Sequence, residues 1–560
     1  MTPAADSDPK DTGDLLLAQG KLTEQQLEQA RRRQNRLEIP QHRAIVDLNF
    51  ASEEDTYRAL AEVKSLDFID LENLELDATL LQSIPLKPVL HYRVIPISFE
   101  NGWLFLAVAE PLSLTDEGHL RLLLGKRLKQ KIATPSSIHA VIKKHFGLGA
   151  DTIQQLREGA PTQAGSAEVV FDLGTPEGNR NIEASISAFV DQVLLEALRL
   201  DATDIHLEPY PTNIRLRYRV DGLLQDIPVP TGLRPLHDSI ISRIKVMAGL
   251  NIAERRAPHD GRIAMKTGKE EYALRVSIIP TKYGEALCLR ILGRQSLFLD
   301  LPQLGMDPDQ NEIMEALTRL PQGMVLITGP TGSGKTTTLY AALANANDSV
   351  RKIVTIENPV EYQLEGVSQI QTNEEIGLTF SAGLRAVLRH DPNVILIGEI
   401  RDVETAEIAI RAAQTGHLVF STLHTNDSVS AITRLIEMKI EPFLIGSSLV
   451  CSIAQRLARR ICRKCRKPDL RIPPRFREEM VTALNLAPAA VRGWQGTGCV
   501  ECSNMGFRGR LALYEFFIMN DEIADLLGPG VKTSILRNAA SKGGWKPLRH
   551  QGLAKVQCGL

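Results

Sequence analysis

The sequence predicts a multidomain α/β protein built around a mainly parallel sheet, and three observations carry that expectation. From Leu301 to the end the pattern runs strand, loop, helix, and repeats, as parallel strands joined by crossover helices require. Within it, LITGPTGSGKTTTLY (326–340) ends an apolar strand in glycines followed by a lysine and three threonines, the composition of a phosphate cradle. Further on, two C-x-x-C pairs have the spacing of metal-binding knuckles.

The 560 residues leave room for several domains at roughly 150 residues each. Hydrophobic residues make up 43% and charged residues 24%, an ordinary soluble composition with room for large cores. A formal net charge of −2 argues against a general nucleic-acid binder. The opening MTPAADSDPKD has neither a basic nor an apolar region and reads as no secretory signal. No uninterrupted apolar run approaches the ~18 residues of a transmembrane helix, so membrane attachment is expected only through a partner. Four of the seven cysteines form the two pairs, while Cys288, Cys451 and Cys558 are scattered. That clustering suggests a reducing compartment and a metal site, not a disulfide framework.

Taken in order, residues 11–63 read as helical hairpins. Thr23 is a candidate N-cap with Gln26 completing a capping box, and Ser52 precedes the helical EEDTYRALAEV. Residues 86–146 read as α/β: YRVIPISF and GWLFLAVAE alternate like strands, and IHAVIKKHF is helical. Together 1–146 form a candidate N-terminal region. Residues 147–181, rich in Gly, Ala, Pro, Thr and Gln, read as a flexible linker. A second α/β domain is expected over 182–298, where IRLRYRVDGLLQDI is a hairpin turning at Asp-Gly. The main α/β domain takes 299–560, with the cysteine subdomain at about 455–515.

The cradle comprises Gly329, Pro330, Thr331, Gly332, Ser333, Gly334, Lys335, Thr336 and Thr337. Its glycines let backbone N–H groups turn toward phosphate, and the following helix adds its positive end. Lys335 suits the β- and γ-phosphates, and the Thr336 hydroxyl suits Mg²⁺. Acidic partners are needed nearby. Glu399 ends the apolar run of NVILIGEIRD, where a carboxylate can hold Mg²⁺ and its waters or orient the attacking water. Glu357 ends another strand in KIVTIENPVEY, with Glu361 four residues on. Histidines His417 and His424 flank the strand in TGHLVFSTLHTND, where a structural role and the sensing of a γ-phosphate or an adjacent subunit weigh evenly. Cys462, Cys465, Cys499 and Cys502 give four thiolates for a closed tetrahedral Zn²⁺ site, structural because no position stays open.

These segments, with ATDIHLEPY (202–210), NIAERRAPHDGR (251–262) and GCVECSNMGFRGRLALYE (498–515), resemble the motor ATPases of type II secretion and type IV pilus assembly. The resemblance is close from about Ile182 to the C-terminus and looser before it. It implies a RecA-like P-loop ATPase domain preceded by a smaller PAS-like α/β domain, an N-terminal helical plus α/β docking region, and a C-terminal zinc subdomain. It also implies ATP, Mg²⁺ and Zn²⁺ as cofactors. Gly329–Thr336 then take the Walker A position, Glu357 and Glu361 the acidic box, Glu399 the Walker B position, and His417 and His424 the His box. Arg275 and Arg290 match the arginines that reach toward the phosphates. The family works as a cytoplasmic ring, usually a hexamer, on the inner face of the bacterial inner membrane. Its partners are a polytopic inner-membrane platform protein and a membrane-anchored docking protein. The implied function is ATP hydrolysis coupled to pseudopilus or pilus assembly.

Three departures stand out. Asn358 replaces the usual aspartate of the acidic box, keeping hydrogen bonding but losing a charge. The helical hairpins resemble a cyclic-di-GMP-binding domain, but Asp11-Thr12-Gly13 and Pro40-Gln41-His42 stand where Arg-Leu-Gly is wanted, so cyclic-di-GMP binding is not expected. The chain ends at KVQCGL, where relatives often continue with a short acidic helix. Two rivals remain: a nucleic-acid translocase-like ring, supported by RRICRKCRK and opposed by the near-zero net charge, and an ATP-binding regulator with little hydrolysis, supported only by Asn358. No specific nucleic acid is expected as a partner.

Overall fold

The computed structural model describes residues 11–148, 176–267, 270–293 and 300–560, apart from 72–73, 75, 78–79, 82–83, 85 and 231. The chain divides into two compact units, one built on residues up to 263 and 274–291, the other on 264–273 and 292–560.

The first unit opens with the expected hairpins, helices Thr12–Ala18, Glu24–Leu37, Gln41–Asp47 and Glu53–Val63. The Thr23–Gln26 capping box is formed, and the Ser52 side chain accepts from Asp55 N–H. Leu15, Leu16, Leu22, Ala30, Ile45 and Ala59 make the small core. Asp11 caps the first helix by accepting from Asp14 N–H and pairs with Arg31 at 3.1 Å. Gly13 is required by close packing, because a Cβ there would lie 2.3 Å from the Leu27 side chain. A three-stranded sheet follows (Ile95–Glu100, Trp103–Val108, Arg127–Ile132), its inner face packed on helices Leu114–Leu124 and Pro135–Phe146 through Leu104, Leu106, Leu120, Leu128 and Ile138.

The expected linker needs one correction. Residues 149–175 lie outside the described residues, but 176–181 already belong to the helix Pro176–Arg199. The polar EGNRN carries no apolar stripe, so the first turns show no period although they run on into the amphipathic ASISAFVDQVLLEAL. A six-stranded sheet then forms in the order Leu223–Ile227, Ile214–Val220, Ala202–Pro209, Gly284–Gly293, Glu270–Thr281, His259–Thr267. Its Asp221-Gly222 turn has positive φ at both residues (49° and 85°), as the sequence signal requires.

In the second unit a seven-stranded sheet runs Val367–Gln371, Ile353–Glu357, Val394–Ile397, Leu418–Leu423, Gly323–Thr328, Leu449–Ile461, Phe507–Ile518. The first six strands are parallel and the last is antiparallel. Alternate residues feed separate cores on the two faces: Met324, Leu326, Ile395 and Ile397 on one, Val325, Ile327, Val394 and Leu396 on the other. Burial on both faces is why these strands read as unbroken apolar runs.

Candidate functional site

The loop after Gly323–Thr328 lies at the carboxyl edge of the parallel sheet, where open α/β sheets bind ligands. Gly329, Gly332 and Gly334 take φ values of 153°, 77° and 88°, and the helix Lys335–Ala346 starts from Gly334. At Gly329 a Cβ would meet the Gln455 carbonyl oxygen at 2.6 Å, so the curl needs glycine. The Lys335 ammonium donates to the Gly329 carbonyl (2.8 Å) and the Pro330 carbonyl (3.1 Å), curling back over the loop. Burial pushes its pKa down, Glu399 opposes that, and Arg456 adds to it. Thr331 and Thr336 are exposed, Thr337 is half-buried, and Ser333 is buried.

Thr328 anchors the loop's base to the next strand's exit. Its hydroxyl donates to the Leu423 carbonyl (3.0 Å) and accepts from Thr425 N–H (2.9 Å). The same strand holds the acidic site, because the Thr422 hydroxyl donates to the Gly398 carbonyl at 2.7 Å. Glu399 follows directly. Its Oε1 lies 2.6 Å from Arg401 Nη2 and its Oε2 lies 3.4 Å from His424 Nε2. Partial burial disfavours the charged carboxylate, but Arg401 and His424 outweigh it and hold the group below the usual carboxylate range. Lys335, Glu399 and His424 therefore share one edge of one sheet.

Other expected residues are placed differently. Glu357 is 4% exposed and inward. It accepts from the Tyr340 hydroxyl, from Thr355 Oγ1 at 2.5 Å and from Gln369 Nε2 at 3.2 Å. Glu361 is exposed. The two histidines separate: His417 precedes Leu418, the register partner of Gly323, whereas His424 follows Leu423, the partner of Thr328. At about 3.3 Å per residue the two ends of this strand lie about 20 Å apart. His417 is thus at the opposite sheet edge, with Nδ1 3.0 Å from the Ala412 carbonyl oxygen. Within the chain it cannot sense a phosphate held by the loop. Arg275 and Arg290 lie on adjacent strands of the six-stranded sheet, both exposed, with Arg290 Nε 3.0 Å from Asp204 Oδ1.

Two arginines escaped the sequence reading. Arg401 is only two residues from Glu399, and that spacing was a usable signal. Arg456 carried none, since it reaches the loop only through the fold. It donates to the Gln455 carbonyl (3.1 Å) and the Asn426 carbonyl (2.9 Å), and a Cβ on Gly329 would lie 3.0 Å from its Nη1. Among the described residues no carboxylate lies within ion-pair distance of it.

The four cysteines converge. Their sulfurs lie within 4.8 Å of one another, with Cys462–Cys499 and Cys465–Cys502 at 3.8 Å and Cys499–Cys502 at 3.7 Å. A tetrahedral ion with bonds of about 2.3 Å sets its sulfurs about 3.8 Å apart, so the donor set fits Zn²⁺. Gly506 N–H donates to Cys502 Sγ at 3.2 Å. Between the pairs, Arg466–Pro468 pairs with Trp494–Gly496, and the chain joining these strands forms the helix Pro474–Leu484, whose Met480 packs with Leu553, which accounts for the long spacing.

A parallel sheet with a glycine loop, a lysine curled into it and a carboxylate at the end of the next strand but one defines a P-loop nucleoside triphosphatase. Residues 179–560 match the family described as Type II/IV secretion system protein, and the chain belongs to that family. It is an ATPase. Residues 65–152 match the MshEN domain, a span that takes in the three-stranded sheet and leaves out the hairpins before it. The chain is 35% identical to the type IV pilus assembly ATPase PilB of Myxococcus xanthus, over 98% of this chain and 96% of that one. It is 40% identical to a type II secretion system protein E of Pseudomonas aeruginosa, over 84% and 94% of the two chains. To the type II secretion system protein HxcR of the same organism it is 46% identical, over 69% and 76%.

Proposed function

We propose that this chain is a cytoplasmic motor ATPase that forms a hexameric ring on the inner face of the inner membrane. Its hydrolysis of ATP powers assembly of a type II secretion pseudopilus or a type IV pilus. The observation that carries the reading is the convergence of Lys335, Glu399 and His424 on one sheet edge, in a chain similar to a pilus assembly ATPase along 98% of its length.

In this reading the loop N–H groups of 329–336 and the Lys335 ammonium bind the β- and γ-phosphates. Mg²⁺ bound with the nucleotide would offset phosphate charge, held by the Thr336 hydroxyl and the Glu399 carboxylate. Glu399, kept ionised by Arg401 and His424, orients the attacking water. Exposed Glu361 takes the solvent side of the acidic box. Buried Glu357 fixes the strand end from which that box departs. Arg275 and Arg290 supply further positive charge to the transition state, and His417 acts toward a neighbouring subunit. The ring docks through its N-terminal region on a membrane-anchored protein and drives a polytopic platform protein. Cyclic-di-GMP is not its ligand: the capping carboxylate of Asp11 occupies the place of a phosphate-pairing arginine. Zn²⁺ on the four cysteines pins the C-terminal subdomain.

Steady-state ATP hydrolysis with Mg²⁺ tests this across a range of protein concentrations, for wild type, Lys335→Ala and Glu399→Gln. Hydrolysis per chain that climbs with concentration and drops at least about a hundredfold in both variants supports the motor. Hydrolysis indifferent to Glu399→Gln sinks it.

A further inference from the structure

Away from the nucleotide site, the outer face of the three-stranded sheet carries an arrangement that ATP hydrolysis does not use. Alternation along Arg127–Ile132 puts Arg127, Lys129 and Lys131 outward, with Leu128 and Ile132 in the core. The neighbouring strand presents Trp103 and Phe105 on that same face and buries Leu104 and Leu106. Trp103 pairs in register with Arg127, and Phe105 with Lys129. The Lys129 ammonium stands 5.2 Å from the Trp103 ring centre and 5.6 Å from that of Phe105. Arg127 is 5.8 Å from the Trp103 ring and Lys131 is 5.4 Å from the Phe105 ring. Two acids face this cluster: Glu100, the cross-strand partner of Trp103, and Asp67, 3.4 Å from Lys131. Positive charge remains in excess.

We propose that this face rests on an anionic phospholipid surface. Aromatic rings set among lysines and arginines match the chemistry of a bilayer interface, where rings settle at headgroup depth and cations meet lipid phosphates. Single-stranded nucleic acid is the competing occupant, and the geometry disfavours it. The rings already carry a cation over them, so a base must displace it to stack. The cation row spans only about 13 Å of flat sheet, whereas strand-tracking proteins use a charged groove. Among the described residues no helix is long and apolar enough to cross a membrane, so a surface contact is the form of direct attachment these residues offer. The contact is independent of the nucleotide site and would hold the N-terminal domain flat against the membrane beside the proposed docking partner.

The test is co-sedimentation of the full chain with vesicles of phosphatidylcholine alone and of phosphatidylcholine mixed with phosphatidylglycerol, alongside a fluorescent single-stranded oligothymidylate. Retention on the anionic vesicles only, weakening as salt rises, is expected. Arg127→Glu with Lys129→Glu should lower it at least about tenfold, and Lys129→Gln about fivefold, the worth of one cation near an anionic surface. Trp103→Ala should also weaken it. Melting temperature and ATP hydrolysis in vesicle-free solution should match wild type, and Lys129→Gln stands in for the double variant if its fold fails. Equal retention on neutral vesicles, no retention on either, unchanged retention in the charge variants, or preferential binding of the oligothymidylate would each overturn the proposal.

Discussion

Arg401 and Glu399 form an ion pair at 2.6 Å through one carboxylate oxygen, while the other carboxylate oxygen lies 3.4 Å from His424. The pairing keeps the carboxyl charged despite its partial burial. Its consequence is directional. A carboxyl held below its ordinary range stays ionised further into acid, and losing Arg401 lets it protonate at higher pH. Arg401→Gln should therefore move the acid limb of the kcat/KM profile for ATP to higher pH, with smaller losses at pH 8. A limb that does not move would assign the acid titration to another group.

Glu357 makes a contrasting case, because it is buried and accepts from Tyr340, Thr355 and Gln369. Removing the carboxylate strands three donors in the core beneath the loop helix. Glu357→Ala should lose about 1–3 kcal/mol of stability in addition to activity. Glu399→Gln should lose activity with little change in melting temperature. Thermal denaturation of the two variants side by side distinguishes them, and equal melting temperatures would remove the structural role assigned to Glu357.

How far the sequence discloses this site depends on distance along the chain. The glycine loop, the cysteine pairs, the Thr23 capping box and the Asp221-Gly222 turn are local rules, and local rules are readable. Strand ends were readable too, because strands buried on both faces leave unbroken apolar runs. The sequence does not say which strand end faces the ligand. His417 and His424 look equivalent in TGHLVFSTLHTND, and only the parallel register of Leu418–Leu423 against Gly323–Thr328 sends one of them to the far edge. Glu357 and Glu399 look equivalent for the same reason, although neighbours contributed by Tyr340 and Gln369 make one of them a core residue. Arg456 was invisible because its partner is the loop itself, brought to it by strand pairing between Gly323–Thr328 and Leu449–Ile461.

Arg456 carries a prediction of its own. Among the described residues its guanidinium donates to neutral groups, the Gln455 carbonyl and the backbone and side-chain oxygens of Asn426, beside Gly329, and it adds to the lowering of the Lys335 pKa. Two cations flanking the curl repel each other, and a bound triphosphate relieves that repulsion. Arg456→Gln should weaken ATP binding by about tenfold, with ADP weakened less. Fluorescent-nucleotide titration measures both, and equal losses for ATP and ADP would place the guanidinium away from the γ-phosphate.

The cysteine cluster gives the last prediction. Sulfur separations of 3.7–3.8 Å suit one ion, while four buried or half-buried thiols with no ion would have little else to hold them together. Metal analysis of the purified chain should find about one zinc per chain. Cys502→Ser, which replaces a thiolate ligand with a poorly coordinating hydroxyl, should lose that zinc and lower the melting temperature. The nucleotide loop is built from other strands, so ATP affinity should survive the loss better than stability does. A metal-free protein that melts at the same temperature as the loaded one would show that the subdomain Arg466–Gly496 stands without an ion.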